Sequence, residues 1–152
     1  MLIGEEKIND IFNSWFEKYG FETRIEGLDN DFGWNCRTNR VSYSFVRAEQ
    51  FDTDFMSVCN DLGLKYDIDV FWMSLLHEIG HSKTYMTLTD EEIDEAFELS
   101  GFDYYYCQRE IIATKWAVDF VNNSLDMLLE LIEWVKPAII QFFMDNDIET
   151  DE

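Results

Sequence analysis

Apolar residues recur at steps of three and four along most of the chain. Ile8, Ile11, Phe12, Trp15, Phe16 and Tyr19 mark a helix over 5–19, which Gly20 can end. Between 21 and 47 the period changes. Phe32, Trp34, Val41, Tyr43 and Phe45 alternate with polar residues, and Thr38-Asn39-Arg40 can turn. Two or three antiparallel strands are expected there, including a hairpin of 32–37 with 41–46. The helical period returns over 50–63, up to Gly63, and again over 69–86. Thr89 and Glu92 have capping-box spacing and open a short helix with Ile93, Ala96 and Phe97 on its apolar face, broken at Gly101. A further helix starts between Asp103 and Gln108 and runs to about Asn122. Ser124 can cap the last helix, whose predicted buried stripe is Leu125, Leu128, Leu129, Ile132, Val135 and Ile139, and Pro137 should kink or end it. With no internal repeat and no linker, 1–152 reads as a single helix-rich α+β domain with a small antiparallel sheet.

Composition narrows the function. The chain has 152 residues, 47% hydrophobic and 16% aromatic, enough for a core and too many for wholesale disorder. Against 11 basic residues stand 32 acidic ones, a net charge of −21. Phosphate backbones and anionic membranes should repel such a surface, so direct nucleic-acid or membrane binding is not expected. The excess is uneven: residues 1–76 carry 7 basic and 14 acidic side chains, residues 77–152 carry 4 and 18. Such charge either keeps a surface soluble or recruits a protein or peptide that is basic near the contact. Cys36, Cys59 and Cys107 form no CxxC pair, which fits a reduced, cytoplasmic setting. The opening MLIGEEKIND lacks the basic and apolar regions of a signal peptide, so none is expected.

One segment carries chemistry. Leu76-His77-Glu78-Ile79-Gly80-His81 contains HExxH, and its two histidines are the only ones in the chain. On a helix, positions four apart share a face, so His77 and His81 can present ring nitrogens to one Zn²⁺. Glu78 is placed to take the proton of a water that the metal activates for attack on a carbonyl. Val70, Phe71, Trp72, Leu75 and Leu76 make this a buried helix, and Gly80 can admit another backbone closely.

A catalytic zinc needs a third protein ligand. No histidine remains, and Thr84 and Thr87 stand where a longer HExxHxxGxxH pattern needs Gly and His. The candidates are Glu91, Glu92, Asp94, Glu95 and Glu98 on an acidic helix, and Cys107 and Glu110 on the next segment. The first group is most simply solvated, and Cys107 reads as a buried thiol. Glu110 lies on an otherwise apolar helix with Ala113, Ala117 and Phe120 on about the same face. The small alanines would let that helix approach the HExxH helix. An oxyanion also needs a donor; Tyr85, Tyr104, Tyr105 and Tyr106 could each supply one, and spacing does not choose among them.

HEIGH, followed by Glu110-Ile111-Ile112-Ala113-Thr114-Lys115-Trp116-Ala117, resembles the HExxH…ExxAxxFA pattern of ImmA/IrrE-type zinc metallopeptidases, a gluzincin-like group common in phages and mobile elements. Trp116 stands where that pattern often has Phe. The resemblance implies a minimal zincin-like fold with the sheet packed on the HExxH helix. It further implies His77, His81 and Glu110 as zinc ligands, Glu78 as the catalytic base, and a phage or mobile-element setting. The leading expectation is a zinc metallopeptidase that pairs an extended substrate with an edge strand, 41–46. The alternative is a non-enzymatic acidic inhibitor, a DNA mimic or anti-defence protein, with a structural zinc site.

Overall fold

A computed structural model gives the fold. It describes residues 1–45, 48–99, 104 and 106–148, with backbone alone over 48–54. The expectations placed on Gly101, Asp103 and Tyr105 lie outside the described residues.

Among the described residues, six α-helices accompany a small sheet. α1 (Glu5–Lys18) buries Ile8, Ile11, Phe12, Trp15 and Phe16, the face its spacing predicts. Gly20, at φ +75°, turns the chain, and Phe21 N–H closes the end by donating to Phe16 O at 2.8 Å. The strands β1 (Arg24–Leu28), β2 (Gly33–Asn35) and β3 (Arg40–Tyr43) follow. β2 and β3 form the expected antiparallel hairpin, pairing Trp34 with Val41. Two expectations are corrected here. β1 joins β3 in parallel, so the sheet is mixed rather than antiparallel throughout. The order is β1-β3-β2, which makes β3 the central strand. The strand expected over 41–46 is described as β3, which offers no free edge, and β2 is the edge on the hairpin side. Local alternation cannot reveal this, because the pairing of β1 with β3 is made by distant residues.

α2 (Ala48–Leu62), α3 (Val70–Thr84), a 3-10 turn (Tyr85–Thr87) and α4 (Asp90–Glu98) come next. α4 begins with the capping box read from its sequence: Thr89 Oγ1 accepts from Glu92 N–H, and Glu92 returns a bond to Thr89 N–H. Its apolar face is narrower than expected. Ala96 is buried, whereas Phe97 is 78% exposed.

α5 (Gln108–Asn123) and α6 (Leu125–Asp145) complete the chain. Ser124 occupies the capping position of α6, but its side chain makes no capping bond. The buried stripe of α6 is Leu128, Leu131, Val135, Ala138 and Phe142; Leu125 and Leu129 lie at the surface. Leu128 and Val135 are buried as expected and Ile132 and Ile139 pack half-buried against the core, but Leu131, Ala138 and Phe142 were missed, because α6 is apolar on more than one side. Nor does Pro137 end the helix. It sits on the exposed face, as does Glu133 one turn earlier, so water can satisfy the carbonyl that loses its partner.

The core is aromatic. Phe12 packs on Tyr43 at 5.3 Å and on Trp72 at 6.2 Å between ring centroids, joining α1 to the sheet and to α3. Trp15 Nε1 donates to Met127 O at 3.0 Å, fastening α1 to α6. Among the described residues, no helix is long and apolar enough to cross a membrane.

Candidate metal centre

α3 is buried on every side from Trp72 to His81. Hence its sequence shows little amphipathic period, and its polar residues are embedded with the apolar ones. His77, Glu78 and His81 each bring a potential ligand atom within 4.8 Å of the others. This buried group could hold a metal ion.

The helix that packs against α3 is α5, and Gly80 sets how closely. A Cβ at position 80 would stand 2.7 Å from Ala113 O and 3.2 Å from Ala113 Cα, closer than atoms approach without displacement. Only glycine allows this contact, as the motif and the small Ala113 suggest. Ala113 and Ala117 are fully buried beside it.

This approach delivers Glu110 to the histidines. Its Oε1 is 3.1 Å from His77 Nε2 and its Oε2 is 3.0 Å from His81 Nε2. Glu110 is 4% exposed. Its Oε2 has no hydrogen bond despite the nearby His81 nitrogen. A buried acceptor left this way is expensive, about 1–3 kcal/mol for a neutral group and more for a charged one. Ligand atoms held about 2.0–2.1 Å from a tetrahedral zinc stand roughly 3.3–3.4 Å apart. Two ring nitrogens and a carboxylate converging at 3.0–3.1 Å, with one oxygen orphaned, therefore fit a small divalent cation.

The electrostatics follow from burial and proximity. Burial alone would raise the Glu110 pKa, but the adjoining histidines more than offset it and hold the carboxyl well below its ordinary range. Burial pulls the His77 ring down, yet its contact with Glu110 outweighs this and leaves its pKa raised. Glu78 is raised by burial, which the neighbouring histidines only partly oppose. A carboxylate lifted in this way is a better proton acceptor than a solvated one.

Three further residues shape the site, none of them singled out from sequence. Thr114 Oγ1 and His77 Nδ1 share a buried hydrogen bond of 3.2 Å. For Nε2 to coordinate, Nδ1 must carry the proton, and Thr114 Oγ1 is placed to accept it. Thr114 stands one turn after Glu110 on the same face, which was the available signal. Trp34, on β2, stacks on His81 with centroids 6.2 Å apart and planes 17° from parallel. Asn39 Oδ1 accepts from both Trp34 Nε1 (2.9 Å) and Ser82 Oγ (2.6 Å), tying the hairpin to α3. Nothing local in the sequence announces contacts that span the sheet and the helix.

The other candidates fall elsewhere. Glu91, Asp94 and Glu98 are exposed on α4, with Glu92 and Glu95 half-buried. Cys107 is buried at the start of α5, outside the histidine group, and burial raises its thiol pKa. Tyr106 donates to Asp61. Tyr85 packs on Trp34. Tyr104 lies close enough to Glu110 and Glu78 to feel their charge, and its phenol is held protonated chiefly by burial. Compared with protein-family models, curated proteins and solved structures, the chain matches none of them.

Proposed function

We propose that the chain is a zinc-dependent metallopeptidase, with His77, His81 and Glu110 as ligands and Glu78 as general base. The observation that carries this reading is the convergence of both Nε2 atoms and both Glu110 oxygens in one buried cluster, with buried Glu78 beside it. The likeness of the two motifs to ImmA/IrrE-type peptidases supports it.

Zinc bound there would polarise a substrate carbonyl and make water a nucleophile near neutral pH. The protein's own residues do the rest. Glu78 accepts the proton of the attacking water and passes it to the leaving nitrogen. Thr114 accepts the Nδ1 proton of His77 in the tautomer that frees Nε2, and Trp34 stacks on the plane of His81. An extended peptide would lie along β2, the free edge on the hairpin side. The inhibitor reading requires a closed site with four protein ligands. In such a site Glu78 would be a fourth ligand beside Glu110 rather than a base.

Glu78→Gln tests the base. It should keep about one zinc per chain by elemental analysis. It should also lose at least ~100-fold in cleavage of an unfolded protein such as casein. Equal cleavage by wild type and variant would remove Glu78 from the mechanism. Unchanged zinc in Glu110→Ala would move the third ligand elsewhere.

A further inference from the structure

The sheet has a second face, opposite the one that packs on the core. Ile25, Val41 and Tyr43 are buried on the core side. Glu26, Arg40 and Ser42 alternate with them, and together with Asp29, Gly33 and Arg37 they line an open groove of about 580 Å³. Gly33 keeps the floor of this groove at backbone level, since a Cβ there would stand 3.2 Å from Ser42 Oγ. A glycine inside a strand in this way admits the close approach of another chain.

Charge is ordered along the groove. Gly33 pairs with Ser42 and Asn35 with Arg40, which sets its direction. Asp29 N–H donates to Tyr43 O at 2.8 Å, so Asp29 stands beyond the Gly33–Ser42 end. Arg37 N–H donates to Asn35 Oδ1 at 2.9 Å, so Arg37 stands beyond the Asn35–Arg40 end. Between them Arg40 Nε and Glu26 Oε2 lie 3.8 Å apart and balance each other. Neither Asp29 nor Arg37 has an ionic partner among the described residues. The groove therefore presents an acid at one end and a base at the other.

We propose that this groove is a side-chain subsite for an extended peptide carrying opposite charges on one face. The proposal rests on the metallopeptidase reading, which lays the substrate along β2, and deepens it by naming the substrate class. A strand added to the β2 edge sends successive side chains to opposite faces. One set lies on the side of Trp34, which stacks on His81. The alternate set lies over the groove, where Asp29 favours a basic side chain and Arg37 an acidic one. Gly33 and Asn35 are two residues apart, and each charge stands about one pair further out. The substrate's charges should thus fall about four residues apart, on the same face because the period is two.

The test compares two fluorescein-labelled peptides of one composition. Both have a Ser, Thr and Ala host with one Lys and one Glu four residues apart, in either order. Equal composition removes the general attraction of basic peptides to a chain of net charge −21. Binding is read by anisotropy with Glu78→Gln in the presence of zinc, so that the peptide stays whole. One order should bind roughly fivefold more tightly at low salt, and added salt should shrink the difference. Reversing both ends, Asp29→Lys with Arg37→Glu, should invert the preference. Cys36 is exposed and also lines the groove, so the preferred peptide should slow its alkylation. Equal affinity for the two orders, a preference that survives the double reversal, or unchanged Cys36 alkylation would overturn the proposal. If the order preference holds but wild type cleaves neither peptide, the subsite stands and the metallopeptidase reading falls. Cleavage of both peptides without an order preference in binding would do the reverse.

Discussion

Where α1 meets α6, the contacts are apolar and the polar atoms have partners. Trp15 Nε1 reaches Met127 O, Asn146 Nδ2 reaches Ile3 O, and Lys18 and Tyr19 both engage Glu130. Where α3 meets α5, a glycine lets two backbones touch, and the space beside them holds two histidines, two glutamates and a threonine. One of those glutamates keeps a buried oxygen without a hydrogen bond, 3.0 Å from His81 Nε2. The first contact is stable as it stands. The second gathers polar groups in a core, in an arrangement that could hold a metal ion. Damage to the two contacts should therefore separate stability from metal binding.

Phe142→Ala makes the larger cut on the α1–α6 side. Phe142 is fully buried on α6, against Phe45 and Phe143. Its truncation should lower unfolding free energy by about 3–5 kcal/mol. Chemical denaturation should register that loss, while zinc stoichiometry in the folded protein stays at wild-type level. Loss of zinc in the folded variant would show that the two contacts are not separable.

Gly80→Ala attacks the other side. The added carbon meets Ala113 O at 2.7 Å, and both partners are helix backbone. Neither can give way without moving α5, so stability should fall by about 1–3 kcal/mol. Because α5 carries Glu110, zinc affinity in a chelator competition should fall as well, by ~100-fold or more on the scale of a lost ligand contact. Wild-type zinc affinity would mean that the close approach is packing alone.

Thr114→Val is subtler. It keeps the branched shape and removes the hydroxyl that His77 Nδ1 meets at 3.2 Å. Zinc affinity should fall by about 10–100-fold, with the fold intact by circular dichroism. An unchanged affinity would leave His77 oriented by packing, including the ring of Phe55 at 6.0 Å.

The two sides also differ in how much of them the sequence discloses. On α1, the apolar spacing specifies the buried face because the opposite face is solvated. On α6 the same reasoning slipped, since Leu125 and Leu129 are apolar yet exposed and add a false stripe. The site was legible where its chemistry is local. His77, Glu78 and His81 fall within one turn, and Glu110 stood out as an acid on an apolar helix. Trp34 and Asn39 were invisible because their roles depend on the hairpin lying over α3. The parallel pairing of β1 with β3 was hidden for the same reason, being a property of the assembled sheet rather than of any strand.

The pH profile gives the smallest effect and the finest test of the comparison. In the metal-free protein, Glu110 has a lowered pKa. Its contribution is present above about pH 4.3, the ordinary glutamate value, and is lost as pH falls below that. His77 is raised, so its contribution is complete below about pH 6.5 and is lost as pH rises through its folded value. Glu78 is raised as well, so above about pH 4.3 its burial favours the unfolded chain increasingly until it ionises in place. The metal-free protein should therefore be most stable near about pH 5 and lose stability toward about pH 8. Zinc requires His77 deprotonated, so loading should reverse the trend. Melting temperatures across that range, with and without zinc, would show it. Glu78→Gln should flatten the metal-free decline. Phe142→Ala should lower the whole curve without changing its slope, because it removes only apolar contacts. A metal-free protein that gains stability toward pH 8 would mean that these three groups do not govern the α3–α5 contact.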